Sequence, residues 1–318
     1  MALTLLQAEE LSQNKLTQYV IDEFRKSPLI ESLMFDNTVK PQGGNTLAYV
    51  YNRITVQPLA EGREINTEYT PQETVTEQQI ANLKVLGGSF EIDRVIANDE
   101  VQVVNHVEFQ IAQKVKATIA LFHDMFINGD SSVNPLEFDG VEVTVADGDT
   151  DIDNGAIDLS TSDTVEANAR GLLYGLRRLI GAMDGATHIL ANTAGYTAIQ
   201  AVADFIPNIR YDRDTMGNEV MRYGLAQIVN MGDKPGTVTP VIPTVDGVTS
   251  IYAIRLGLDG VHGVSPEGTS LVEYYLPDFT TPGAVKKGEV EAVWATVIKS
   301  TKSAGVLRNV RVEVDVTP

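Results

Sequence analysis

Residues 80–130 read IANLKVLGGSFEIDRVIANDEVQVVNHVEFQIAQKVKATIALFHDMFINGD, and the change of period inside this stretch decides the fold. Up to Ile96 the apolar residues Leu83, Val85, Phe90, Ile92 and Val95 are spaced as in a strand, with Gly87-Gly88 expected to mark a bend or bulge. From Asn98 to Asn128 the spacing becomes helical. Val104, Val107, Ile111, Val115, Thr118, Phe122 and Met125 recur three and four apart on one stripe, behind Asn98 or Asp99 as N-cap. At 1.5 Å per residue such a helix is roughly 45 Å long, more than twice the globular mean of about 11 to 12 residues. It therefore reads as a structural beam or a coiled coil, stopped by Gly129-Asp130.

Upstream of this stretch, Leu5, Leu6, Leu11, Leu16, Val20 and Phe24 suggest a helical arm ending near Ser27-Pro28, and the chain breaks at Pro41–Gly44. Thr46 to Val56 alternates with period two through Leu47, Tyr49 and Tyr51, then Ile54 and Val56, as a strand does. A polar stretch from Glu61 to Gln79 separates it from the run beginning at Ile80. Two strand arms with a polar tip make a long ribbon. One hairpin has too little apolar surface to offset the entropy of ordering it, so the ribbon must lie against the rest of its own chain or against a neighbouring subunit.

Downstream, Glu137, Asp139, Glu142, Asp147, Asp149, Asp151, Asp153, Asp158 and Asp163 stand in one stretch without a base. Thr164 to Met183 follows with an apolar face of Val165, Ala169, Leu172, Leu176, Ile180 and Met183 behind a capping-box-like Asp163 and Glu166. His188-Ile189-Leu190 reads as a short strand, and Thr193 is placed to cap a helix reaching Phe205. The remainder is strand and turn, with strands expected at 225–231, 238–245, 250–256, 271–276, 290–298 and 306–316. The class is α+β, without a βαβ rhythm.

The composition is that of a folded chain. It has 318 residues, 43% apolar, with 24 Lys and Arg against 43 Asp and Glu, for a formal charge of −19. That field repels a phosphate backbone, and no basic stripe opposes it. With no cysteine, disulfides, Cys-ligated metals and thiol nucleophiles are excluded. The first 20 residues carry acids and amides where a signal peptide is basic and then apolar, and no run of 18 apolar residues occurs, so neither secretion by that route nor a transmembrane helix is expected.

Catalytic signatures are missing as well. GxxxxGK[ST], GxGxxG, GxSxG and HExxH do not occur, and His106, His123, His188 and His262 are isolated, read as surface or locally bonded histidines. No catalytic residue and no cofactor is expected. Asp147, Asp149, Asp151, Asp153 and Asp158 are spaced as oxygen ligands of a hard cation can be, yet Ile152 stands where a calcium loop needs Gly and Asp158 where it needs Glu, so a solvated acidic loop is the favoured reading. Arg177-Arg178 and Lys286-Lys287 are too sparse for a nucleic-acid surface and read as solvated faces or partners for acids, while Trp294 and Tyr274-Tyr275 read as packing residues.

The order of elements, together with the ribbon tip AEGREINTEYTPQ (60–72), the step IANLKVLGGSFEIDRVIANDE (80–100), INGDSSVNPLEFDGVEV (127–143), ATHILANTAGYTAIQAV (186–202) and ATVIKSTKSAGVLRNVRV (295–312), resembles the major capsid proteins of tailed bacteriophages with the HK97 fold. The resemblance implies an N-terminal arm (1–42), an extended β-ribbon or E-loop (43–96), a peripheral domain with the long spine helix (97–180), an axial domain (181–283) and a C-terminal return to the peripheral domain (284–318). It implies self-assembly into pentamers and hexamers of an icosahedral shell around double-stranded DNA, bound without sequence specificity. Scaffolding, portal and decoration proteins are the implied partners, no membrane is involved, and the place is the virion, assembled in the host cytoplasm.

Two departures narrow the likeness. Some relatives cross-link an E-loop Lys to a neighbour, but no Lys lies between Arg53 and Lys84, so the shell is expected to be held noncovalently. The ribbon also begins too early for a fused scaffolding region, implying a separate or already removed scaffold. Arg63, Glu64, Glu68 and Tyr69 at the tip are the expected subunit interface, with Arg63 and Glu64 pairing across subunits. An encapsulin-like compartment, a cation-dependent enzyme built on the Asp147 loop, and a phage tail component are the competing readings.

Overall fold

The computed structural model describes residues 28–39, 47–56, 59–95, 100–206, 208–213, 219–234, 236–267 and 272–313. The expected arm helix before Ser27 and the expected cap at Asn98 or Asp99 lie outside the described residues. The first element is α1 (Pro28–Ser32), followed by β1 (Phe35–Val39). Pro28 stands at the first described position of α1, where a first-turn proline gives up no backbone hydrogen bond.

The ribbon consists of β2 (Ala48–Val56) and β3 (Val75–Asn82), paired antiparallel from Ala48↔Asn82 outward. The return arm expected as one run is two strands, because the chain breaks at Leu83, whose N–H donates to the Leu47 carbonyl at 2.8 Å. β4 (Lys84–Asp93) then leaves the ribbon and pairs with β13 (Val285–Ile298) in unbroken register from Lys84↔Trp294 to Asp93↔Val285. Gly87-Gly88 is therefore no bulge. The glycine is needed because the backbones are close: a Cβ on Gly87 would stand 2.0 Å from the Val290 carbonyl oxygen.

The beam is α2 (Glu100–Asn128), 29 residues and so roughly 43 Å. Its described buried face holds Val107, Thr118, Ile119, Phe122, Met125, Phe126 and Ile127. It lies on the sheet formed by β1, β11 (Val261–Pro266), β13 and β12 (Glu273–Tyr275), with β4 on the other side of β13. Phe122 meets the ring of the fully buried Trp294 edge-on, centroids 5.1 Å apart at 86°. This aromatic contact joins beam to sheet, and burying these two rings contributes several kcal/mol, at about 25 cal/mol per Å² of apolar surface.

The second sheet runs β5 (Asp151–Asp158), β14 (Ala304–Arg311), β10 (Val248–Ile254), β6 (His188–Ala191), β9 (Ala226–Asn230), β8 (Glu219–Tyr223) and β7 (Ile209–Arg213). α4 (Ser162–Ala182) and α5 (Thr193–Phe205) cover one face, and the core shared with α2 and the short α3 (Val141–Val145) covers the other. Ile189, Ala191, Ile251 and Ala253 point to the first core, while Leu190, Tyr252 and Ile254 point to the second. That double burial makes β6 and β10 apolar on both faces.

Several boundaries differ from the expectation. α4 is capped by Thr161, in a reciprocal box with Thr164 and not with Asp163 and Glu166; α5 is capped by Asn192, whose Oδ1 accepts the Gly195 N–H at 2.7 Å. Residues 238–245 form no strand, only isolated bridges at Pro240 and Val245, because Pro240 and Pro243 cannot donate to a ladder. The β7–β8 hairpin and β11 were not foreseen: the hairpin is charged on both arms, and β11 (VHGVSP) is short and contains Gly.

Candidate assembly interface

Among the described residues, the side-chain hydrogen bonds that fasten the ribbon to the body lie at its root. Tyr49 donates to Asp36 Oδ2 at 3.1 Å, and the Tyr51 hydroxyl (3.3 Å) and Arg53 Nη2 (2.6 Å) both donate to the Ile298 carbonyl at the end of β13. The Tyr49 ring stands edge-on to His262, 5.9 Å between centroids, with Lys299 Nζ 5.7 Å from its centroid. Burial holds the Tyr51 phenol above its ordinary pKa and the His262 imidazole below its own, so both stay neutral near neutral pH. The strand pattern alone does not single out Tyr51 and Arg53 as the anchors of the ribbon, since the carbonyl they share is 247 and 245 residues away.

Beyond the root, every described residue from Leu59 to Gln78 is exposed. The tip nevertheless has local structure. Thr70 N–H donates to Glu61 at 2.5 Å, Leu59 N–H to Gln72 at 2.8 Å, and Asn66 takes a left-handed φ of 72° in a turn closed by Thr67 N–H to the Glu64 carbonyl. Arg63 donates to the Thr67 carbonyl at 3.1 Å and lies 5.3 Å from the centre of the Tyr69 ring. Arg63 and Tyr69 are thus brought together within one chain, while Glu64 and Glu68 are exposed beside them. The tip also displays Leu59 and Ile65, the latter 90% exposed, and the cross-strand pair Val50–Ile80 is exposed on the ribbon.

The acidic segment is built differently from a loop of free carboxylates. Asp151, Asp153 and Asp158 lie along β5 beside β14: Asp151 accepts from Arg308 Nε at 2.7 Å, Asp153 from Asn309 Nδ2 at 2.7 Å, and Asp158 from Ser160. Hydrogen bonds, first from Asn309 and from Ser160 respectively, hold Asp153 and Asp158 below the usual carboxylate range. Asp147 and Asp149 are exposed in the turn before β5. Among the described residues no three His, Asp or Glu side chains converge as metal ligands do. Lys286, read as a surface or ion-pairing residue, is 5% exposed and donates to the Thr281 hydroxyl at 2.9 Å. His188 is buried but locally bonded as expected, its Nδ1 3.0 Å from the Thr187 hydroxyl, whereas His262 is fully buried against the Tyr49 ring.

No protein-family model and no curated protein matches the chain in sequence. Solved structures match it in shape. The holo-SrpI encapsulin complex from Synechococcus elongatus PCC 7942 is similar at a TM-score of 0.60 and 14% identity, over 100% of this chain and 99% of that one. The capsid of a native GTA particle is similar at 0.56 and 10%, over 88% and 89%. The capsid of Myoviridae phage XM1 is similar at 0.50 and 12%, over 87% and 89%. The chain has the HK97-like fold. In that fold the ribbon is the E-loop and α2 is the spine helix, and β4 lies between the two in the chain. No transmembrane-length apolar helix occurs among the described residues.

Proposed function

We propose that copies of this chain assemble into a closed icosahedral shell of pentamers and hexamers, as the major capsid protein of a tailed phage, around double-stranded DNA. One observation carries the reading: the E-loop extends from its Ile298 anchor with Leu59, Ile65, Tyr69, Val50 and Ile80 uncovered by the described chain. Apolar side chains on an extended two-stranded ribbon gain by burial, and an identical neighbour can supply it. Arg63, Glu64, Glu68 and Tyr69 form the rim of that contact, and the shell is held noncovalently.

In this reading residues 1–42 are the arm and 43–96 the E-loop; 97–180 and 284–318 form the peripheral domain and 181–283 the axial domain. A scaffolding protein, a portal and a decoration protein are the partners, and the particle forms in the host cytoplasm and persists as the virion. The chain performs no catalytic step. Its negative charge suits a container for DNA, since a wall that gripped phosphate along its length would impede filling.

A second reading is an encapsulin-like compartment, favoured by the match to the SrpI encapsulin over the full length of both chains. Electron microscopy of purified particles with nuclease treatment separates the two. Closed shells with nuclease-protected DNA support the capsid, and shells with protein cargo support the compartment. A stable monomer that forms no shell under any assembly condition overturns both.

A further inference from the structure

The ribbon root encloses a cavity of about 320 Å³ against the body, walled by Arg53 of β2, Lys84 of β4, Thr296 of β13, Phe138 and Asp139 of the loop after α2, and Val143 of α3. Two buried polar atoms of these walls have no partner among the described residues: Arg53 Nε and Thr296 Oγ1. Thr296 is only 5% exposed. Native folds leave few such groups, because each gives up its bond to water and gains nothing in return. Arg53 is held in place by its other end, where Nη2 donates to the Ile298 carbonyl at 2.6 Å and to the Tyr51 hydroxyl at 3.3 Å. The guanidinium therefore sits at the end of β13, and Thr296, two residues before Ile298, faces the same side of that strand. One of the two unpartnered atoms belongs to the ribbon and the other to the body.

The chemistry of an occupant follows from these groups. Arg53 Nε–H can only donate, and the Thr296 hydroxyl can donate as well, so two acceptor oxygens on one group meet both. Arg53 carries a charge yet rests on neutral oxygens, which favours an anionic acceptor over a neutral one. Lys84 adds a second cation, its Nζ anchored on the Pro135 carbonyl at 2.6 Å. Asp139 is the acid of the wall. It is exposed, with Oδ1 accepting the Ser131 N–H at 2.9 Å, so water screens its charge while the Arg53 and Thr296 atoms are shielded from solvent. Its presence still counts against a doubly charged phosphate and for a singly charged group. Phe138 and Val143 supply apolar surface for a short alkyl part, and the volume is at the small end of the roughly 300–1,000 Å³ of ligand sites.

We propose that this cavity binds a small carboxylate, its oxygens on Arg53 Nε and Thr296 Oγ1 and its alkyl part toward Phe138 and Val143, and that the bound carboxylate ties the ribbon to the body. The proposal does not depend on the shell reading.

The test titrates the full chain with sodium acetate, against acetamide as the neutral isostere and sodium chloride at equal ionic strength, read by calorimetry and by hydrogen exchange of β2 and β3. A ligand of so few atoms binds no tighter than roughly tens of micromolar, so saturation by acetate is expected in the millimolar range. Acetamide should bind about tenfold more weakly or worse, and chloride should give no saturable response. Acetate should slow exchange at the root of the ribbon. Arg53→Gln should lose the response but also removes the anchor on Ile298, so Thr296→Val is the cleaner variant: it keeps the anchor and the shape. Without ligand its melting temperature should be no lower than that of the native chain, because it removes an unsatisfied buried hydroxyl, yet its acetate affinity should fall severalfold. Asp139→Asn should strengthen acetate binding severalfold. No saturable response up to about 100 mM, or equal responses from the native chain and Thr296→Val, would mean that the cavity holds water only and overturns the proposal. Acetamide binding as well as acetate overturns the anionic ligand, and acetate binding without slower exchange in the ribbon overturns the tie.

Discussion

Arg308 donates from Nε to the Asp151 carboxylate at 2.7 Å, across the parallel β14–β5 pair. The same guanidinium reaches Glu142 Oε1 at 2.9 Å, and Glu142 accepts the Tyr252 hydroxyl at 2.7 Å. One cation therefore ties β14, β5 and α3 together. The hydrogen bond to Asp151 chiefly holds Arg308 charged, and burial chiefly holds Tyr252 protonated. Arg308→Met leaves two carboxylates without their cation. Loss of one partner of a fully buried pair costs about 3–5 kcal/mol. With Arg308 29% exposed, about 1–3 kcal/mol is expected here, measured by urea unfolding. A change below about 0.5 kcal/mol would contradict the assignment.

Trp294 is fully buried between Phe122 and Phe35. Trp294→Ala should cost about 3–5 kcal/mol, and Trp294→Phe clearly less, because the smaller ring keeps the edge-on contact with Phe122. Thermal denaturation ranks the two; equal losses would mean that packing volume is not what the indole supplies.

Glycines divide by what surrounds them. Gly87→Ala places a methyl 2.0 Å from the Val290 carbonyl oxygen and should part β4 from β13, lowering stability by more than about 2 kcal/mol. Gly171→Ala, on the exposed side of α4 with nothing within 4 Å, should raise it by about 0.5–1 kcal/mol. Paired unfolding curves test the opposition of sign.

Acid sensitivity should come first from histidine. Burial lowers His123 and His188 to about 4 from 6.5. The unfolded chain therefore binds protons before the folded one as the pH drops, and stability is constant above about 6.5 and declines from there to about 4. Each histidine contributes a slope of up to about 1.4 kcal/mol per pH unit. The carboxylates held low, Asp153 and Asp158, act only below that window. His188→Gln should flatten the decline; a melting temperature unchanged between about pH 7 and 4.5 in the native chain would rule this out.

At the E-loop tip, Ile65→Asp and Glu64→Arg should leave the melting temperature of the unassembled chain unchanged, since both positions are exposed. Particle yield and the heat resistance of particles should fall by severalfold if neighbours cover the tip. Unchanged particles in both variants would remove the ribbon from the interface.

The beam was legible because its apolar stripe repeats over 29 residues, far longer than any turn or strand could imitate. The ribbon was legible from its polar tip. The fate of its return arm was not, since nothing local distinguishes Ile80, which stays with β2, from Val85, which pairs with β13 far along the chain. The β7–β8 hairpin is illegible for a related reason: Arg210, Asp212, Arg213, Glu219 and Arg222 give its arms no clear apolar alternation, and only the register sets Arg210 opposite Arg222. The acids of β5 looked like cation ligands until folding placed Arg308 and Asn309 beside them.

The E-loop root and the aromatic core share one strand. Ile298, whose carbonyl holds Tyr51 and Arg53, lies four residues from Trp294 on β13, and β13 also pairs with β4, the strand that precedes the spine helix in the chain. The ribbon is thus a lever and β13 its fulcrum. Any pull on the tip passes through residues 49–53 to a strand that is paired on both edges and buried, so the angle of the lever depends on those few residues while the body behind them is held by its own packing.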